Sequence, residues 1–449
     1  MMGLTPSYQE REIFLMPKFT YVISALEHGM ATEFPSLHIP GTFSPDMLNA
    51  KVEQHSLKKR WGYAEDRNLG TGVQIYNIAL YQKSDGTRCT IFLTNTDAAK
   101  RESASGKTFS YITDTYTTPG TISDITADVV TGSSTTWSDD AILAGDKFIL
   151  DDDHTSDEEP DTHWATVESV DTNTQITLTA SYTGTTGPFD PTEAYKIRRQ
   201  YSVPANERWA YAVVDDQFCF TNGNTKVKTW SGANYATSLS ATYADSARYC
   251  IEYANRLFIA DSINESTAAR DPYMIRWSKE GDPTDFTDST AGTAWLIDTE
   301  DYISGLGKAG PNLYVYKQDA ICIFNRTGSA TSPITQTGQR RGIGCIAPYS
   351  IVEVLGTNVF LGRDDFYIMD GDMPTSIGAN SMRYKIFDIV DETEIQHVWG
   401  FANVLEKEVL WIANTTNGKY AFVWSYQTKE WVIYGYGHDL VGAGKGAVG

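Results

Sequence analysis

The sequence predicts an all-β chain whose body is a β-propeller of about six blades, interrupted by an inserted small β-barrel or sandwich and preceded by an irregular amino-terminal arm. Three observations carry that expectation. From about Val73 onward, short runs of β-branched and aromatic residues alternate with turn signals at the spacing of antiparallel strands. These runs group into meanders that return at roughly 40 to 50 residues, the mark of small sheets that bury both faces only against their neighbours. Between Ile112 and Arg199 the period breaks, and the stretch becomes rich in Thr, Ser and Asp.

In chain order, residues 1–63 are poorest in strand signals. Pro35, Pro40, Gly41 and Pro45 mark an arm, in which 45–52 is expected to make one short helical turn. Such an arm suits gripping a neighbouring subunit or running across its own propeller. Residues 64–112 begin the propeller, with runs at 75–81 and 88–93 joined by Ser84-Asp85-Gly86. Residues 113–199 read as the inserted domain, whose ends must lie close together. Residues 200–437 resume the propeller. Its clearest meanders are 209–230, turning at Asp215-Asp216 and at Asn222-Gly223-Asn224, then 249–277, 313–324, 351–369 and 409–434. Residues 438–449 form a flexible tail. A large β-sandwich is the alternative, since the repeats share layout more than residues.

Composition supports β structure: 36 Gly, 26 Tyr and 11 Trp occur with only 21% charged residues. No stretch approaches the roughly 18 apolar residues of a membrane helix, and the start lacks a signal-peptide pattern. Cys89, Cys219, Cys250, Cys322 and Cys345 stand singly, mostly inside apolar runs, and read as buried thiols. The net charge of −21 opposes electrostatic binding to DNA or an anionic membrane and suits a surface past which DNA slides.

Catalytic motifs are not found. Asp364-Asp365 and Asp215-Asp216 fall at expected hairpin turns, where Asp serves backbone geometry. Ser84-Asp85-Gly86-Thr87 lacks the aromatic that would complete a sialidase-type Asp box, and Gly442-Ala443-Gly444-Lys445-Gly446 follows no helix start. The only cation candidates are Asp151, Asp153, Asp157 and Glu159 in an acidic run near His154 and His163. That run lacks calcium-loop spacing and reads by default as a solvated loop. No catalytic residue and no cofactor is assigned.

Several phrases are similar to known proteins. Arg276-Trp277-Ser278-Lys279-Glu280-Gly281-Asp282-Pro283-Thr284-Asp285-Phe286, Tyr302-Ile303-Ser304-Gly305-Leu306, Gly344-Cys345-Ile346-Ala347-Pro348-Tyr349 and Phe360-Leu361-Gly362-Arg363-Asp364-Asp365 together resemble the propeller of phage packaged-DNA stabilisation and tail-nozzle proteins. Phe43-Ser44-Pro45-Asp46-Met47 and Lys58-Lys59-Arg60-Trp61-Gly62 resemble the opening of such proteins. Val130-Thr131-Gly132-Ser133-Ser134, Ala144-Gly145-Asp146-Lys147-Phe148 and 168–178 resemble a module widespread in phage tail proteins.

The resemblance implies a virion tail protein, made in the host cytoplasm, that forms a hub or nozzle. Its partners would be identical subunits in a ring, often a hexamer, together with a portal, adaptor or other tail protein. DNA would pass through without tight binding, and no membrane is involved. The rival is a carbohydrate-binding or carbohydrate-cleaving propeller that recognises a receptor, for which the abundant Trp and Tyr could stack on sugars. A plug closer to the portal is a second rival. The same aromatics also exceed what the blades should require, which points to subunit interfaces.

Overall fold

Each propeller sheet starts from a local hairpin. At Asp215-Asp216 both residues have positive φ (45° and 63°), the twist that a two-residue hairpin turn needs, and Ala254-Asn255 (54° and 56°) repeats it. In the computed structural model these hairpins extend to six four-stranded antiparallel sheets among the described residues. They form blades 1 (75–111), 2 (210–238), 3 (247–295), 4 (303–341), 5 (352–376) and 6 (399–437). Each blade is one unbroken meander, so no strand is shared to close the ring. The structure describes residues 30 and 48, Ala50–Glu53, Ser56–Lys59, and 73–437 apart from 103–108, 117–118, 140–141, 155–162, 205–206, 240–245, 265–266, 268, 330, 372, 380 and 416–417. Helix is nearly absent there: one α-helix covers Lys385–Ile389. No helix of the described residues is long and apolar enough to cross a membrane.

The second strand of a blade is buried on both faces, which explains its continuous apolar run. Asn312–Lys317 and Glu408–Thr415 are buried along most of their length. Between blades the seams are aromatic and tied by polar tips. Tyr81, Trp209, Phe218 and Trp230 fill seam 1/2, and Tyr253, Phe258, Leu313 and Phe324 help fill seam 3/4. Trp209 Nε1 donates to Thr94 O at 2.7 Å, Tyr314 Oη to Gly371 O at 2.7 Å and Trp411 Nε1 to Ser350 O at 2.9 Å. Eight of the ten described tryptophans are buried, so much of the aromatic content expected to mark subunit interfaces serves seams and cores within the chain.

Between the last strand of blade 1 and the first of blade 2, the chain builds an eight-stranded antiparallel sheet from Thr115 to Arg198. It encloses its own core of Trp137, Phe148, Leu150, Ile176 and Tyr195. Its ends are adjacent because Thr115 pairs with Arg198.

At the amino terminus, Ala50–Glu53 is a strand paired with Ser56–Lys59, which corrects the helical turn expected at 45–52. Pairing satisfies that backbone where one helical turn would leave most of its groups unbonded. Met30 is fully buried in the core shared by blades 5 and 6, its N–H donating to Trp431 O at 3.1 Å. Leu48 bridges in parallel to Ile433. These points place the described part of the arm on its own propeller. The remainder of 1–63 and the whole of 438–449 lie outside the described residues.

Candidate functional site: the axial cavity and the closing seam

The innermost strands of all six blades line an axial cavity of about 360 Å³. Among the described residues its charged groups are Arg208, Glu252, Lys308 and Glu353, and its aromatic groups are Tyr76, Trp209, Tyr211, Tyr249, Tyr349 and Trp399. Most are locked into the scaffold. Lys308 pairs with Glu252 at 2.5 Å, and Asn255 N–H also bonds that carboxylate at 3.0 Å. Tyr349 Oη donates to Glu207 Oε2 at 2.5 Å, while Arg248 Nε lies 3.2 Å from the other Glu207 oxygen. Arg248 continues to Asp261 at 3.0 Å, and Asp261 to Arg270 at 3.1 Å. Burial pushes the Tyr211 phenol up to about 12 and holds Tyr249 and Tyr349 well above their usual range.

Arg208 sits where the ring closes. It precedes the first strand of blade 2, yet its guanidinium lies 4.1 Å from the Trp399 ring centroid of blade 6 and donates to Tyr76 O of blade 1 at 3.1 Å. Burial lowers its pKa to about 9. Beside it, Gln74, Tyr76, Glu207, Arg208, His397, Trp399, Ile412, Asn414 and Lys419 line a second, mostly polar cavity of about 160 Å³. Neither cavity was foreseen from the sequence. The only local signal is a charged pair, Glu207-Arg208, abutting the start of an aromatic strand.

A second polar cluster joins the insert to the propeller. Lys228 is buried and pairs with Asp114 at 2.9 Å while bonding Ser238 Oγ. The Arg198 guanidinium lies 3.8 Å from the Tyr111 ring centroid and 4.5 Å from that of Trp164, near Asp97. Asp146, buried and with its pKa raised by that burial, accepts bonds from Arg199 and Gln200 N–H at 3.1 Å each. Both linkers are thus held by charge-assisted bonds out of water.

The candidates read from the sequence are scattered. Asp151 pairs with Lys196 at 2.7 Å. Asp153 accepts bonds from Tyr182 Oη and from Thr185 N–H and Oγ1 at 2.8–2.9 Å. Asp157 and Glu159 lie outside the described residues, and among the described residues no cluster of three or more His, Cys, Asp or Glu could hold a metal. Asp216 is tied to Ser84 across blades 1 and 2. Asp365 is fully buried under Phe366 N–H and Ser376 Oγ, and Asp364 meets Arg383 at 3.0 Å. All five cysteines are buried free thiols, with Cys89 pushed up to about 11 and Cys219 and Cys345 to about 12 by burial.

Fold and site together define a six-bladed β-propeller with an inserted β domain. No known protein family matches the sequence, and no curated protein matches it either. Among solved structures the chain is similar to Sqt1 of Saccharomyces cerevisiae, at 12% identity and a TM-score of 0.32 over 50% of this chain and 60% of that one. It is also similar to the extracellular domain of a one-component system of B. thetaiotaomicron, at 9% identity and 0.30 over 83% and 48%. The Neurospora crassa Pan2 WD40 domain matches at 8% identity and 0.30 over 72% and 82%. The chain therefore spans less than two thirds of the first two.

Proposed function

We propose that this chain is a non-enzymatic structural protein of a phage tail, a hub or nozzle subunit that assembles with copies of itself in a ring. The observation that carries the reading is the buried, ion-paired junction of Asp114 with Lys228 and Arg198 with Asp97, which makes propeller and insert one stiff unit. A part that bears load across an assembly needs such a joint, whereas a tethered recognition module does not.

The geometry refines where DNA would run. An axial cavity of about 360 Å³ holds about a dozen waters at ~30 Å³ each, so no duplex threads a single propeller. The lumen would be enclosed by several copies. Residues 113–199 hold 17 Asp and Glu against 4 Lys and Arg, which is most of the chain's net −21. In this reading the insert supplies the acidic wall along which DNA slides, because like charge removes the counterion-release gain of adhesion.

Cryo-electron microscopy of assembled tails is the direct test. A ring of copies with the insert facing the lumen is expected, and density for this chain outside a tail would overturn the proposal. Electrophoretic mobility shift provides a second check. The wild-type protein should not retard duplex DNA at physiological salt, whereas reversing Asp151, Asp152, Glu168 and Asp171 to Lys should.

A further inference from the structure

The first strands of the six blades are innermost and line the axial cavity, so the turns into their second strands ring one mouth of it. The insert leaves from the other end, after the fourth strand of blade 1. In blades 1 to 4 these turns contain Ser84-Asp85-Gly86, Asp215-Asp216, Ala254-Asn255 and Gly310-Pro311, small or polar residues of the kind that turns favour. Blades 5 and 6 break the pattern with Leu355-Gly356 and Val404-Leu405. Leu355 is 78% exposed, Val404 65% and Leu405 70%. Met373, exposed in the loop before the fourth strand of blade 5, lies at the same end. The first strands of blades 5 and 6 run side by side, with Val354 and Trp399 in one core, so the two apolar turns are adjacent. We propose that this apolar half of the mouth docks a second protein, through a segment that carries lysine or arginine beside its own apolar side chains. The inference does not rest on the ring assembly proposed above.

The first supporting observation is conformational. Leu355 has φ 51° and Gly356 φ 74°, the same left-handed pair that Asp215-Asp216 and Ala254-Asn255 adopt. A bulky side chain is disfavoured at positive φ, and an exposed apolar one gains nothing from burial. Neither backbone nor solvation therefore selects leucine at this turn, whereas asparagine would suit both. A leucine kept against both preferences on a projecting turn, beside a second apolar turn, fits an anchor for a partner.

The second is charge, and it selects the partner. Among the described residues, the turns between first and second strands and between third and fourth strands hold eleven Asp and Glu against four Lys. Asp370 opens the loop that ends at Met373, and Asp215 and Asp216 stand across the mouth in blade 2. A second copy brought face to face would set carboxylates against carboxylates, and an anionic membrane would be repelled in the same way. A basic segment instead gains charge attraction around an apolar contact.

The test is fluorescence anisotropy of the full chain at physiological salt with three labelled peptides of equal length: one of leucine and lysine, one with serine in place of leucine, and one with glutamate in place of lysine. The leucine-lysine peptide should bind saturably and the other two at least tenfold more weakly. Leu355→Asn and Leu405→Ser should each weaken that binding at least tenfold, and Asp370→Lys several-fold. Leu355→Asn relieves the backbone, so its melting temperature should equal or exceed that of the wild type, which separates lost docking from lost folding. Absence of saturable binding, equal binding of the serine peptide, or Leu355→Asn and Leu405→Ser titrating like the wild type would overturn the proposal. So would a dimer, seen by light scattering, that Leu355→Asn dissociates, or sedimentation with phosphatidylcholine vesicles that the same variant abolishes, since these give the face to a second copy or to a membrane.

Discussion

Five of the six seams are closed by clusters of buried apolar side chains, whereas the sixth is closed by a cation. Seam 5/6 packs Phe366, Trp411, Phe422 and Trp431, with Trp411 at 4.7 Å from Phe366 and 5.5 Å from Trp431 between ring centroids. At seam 6/1 no such cluster spans the two blades among the described residues. Among the described residues, the face of blade 1 turned that way buries Phe92, Ala99 and Phe109, with half-buried Ile75, Ile78 and Tyr111 beside them and the Arg101 guanidinium 5.5 Å from the Phe92 ring centroid. Arg208 reaches across instead, and a polar cavity remains. The contrast follows from connectivity. Successive blades are joined by short connections, or for blades 1 and 2 by an insert whose ends meet, and can be packed as they form, but blades 6 and 1 are far apart in sequence and share no strand. A directional cation contact can close a seam whose shape complementarity is poorer, and it leaves room for solvent or a ligand.

The largest expected effect breaks an apolar seam. Trp411→Ala removes a fully buried indole together with its bond to Ser350 O and should cost about 3–5 kcal/mol, read by urea unfolding. A loss below about 1 kcal/mol would show that seam 5/6 is not packed as described.

The junction comes next. Replacing 113–199 with a short Gly-Ser linker removes Asp114 and strands Lys228 in a buried site. The propeller should lose about 3 kcal/mol, most of which returns when Lys228→Met is added. Full stability of the deletion alone would mean that the joint is not coupled to the blades.

At the closing seam, Arg208→Ala should cost about 1–2 kcal/mol through loss of its contacts with the Trp399 and Tyr76 rings and its bond to Tyr76 O. Hydrogen exchange should rise selectively in the first strands of blades 1 and 6. If exchange instead rises equally in all blades, the seam is not a separate weak point.

The smallest effect concerns pH. Burial raises the Asp365 pKa, so the native state binds a proton more readily than the unfolded chain, and stability falls as pH rises through the raised folded value. Asp365→Asn removes that slope. Its stability relative to wild type should be more favourable at pH 7 than at a pH below the ordinary carboxyl range, as read by denaturant midpoints; the opposite order would refute the assignment.

Much of the fold was legible locally. The meanders at 209–230 and 249–277 announced themselves because alternation and two-residue turns are properties of a few adjacent residues. Apart from Trp431–Gly437 in blade 6, whose apolar run was read, the outer strands were hard to see. Ile334–Arg341 reads ITQTGQRR and is half-exposed, while Thr237–Ser238 is two exposed residues, so neither has a core-facing pattern to betray it. The paired strands Ala50–Glu53 and Ser56–Lys59 were misjudged because they have no strong strand signal of their own and are ordered by pairing.

The sequence by itself determined that the chain is mainly β, that its sheets recur, and that the recurrence breaks before Arg199, because each of these is written in local periodicity. The sites were decided only by tertiary structure. Tyr76, Arg208 and Trp399 are separated by 132 and 191 positions yet meet at one seam, because closing a ring of six sheets brings its first and last blades together. Likewise Asp114 and Lys228 form a buried pair across 114 positions only because an inserted domain returns the chain to the point where it left. Charge marks such residues in a sequence as surface, and only the three-dimensional closure turns them into the joints that hold the molecule together.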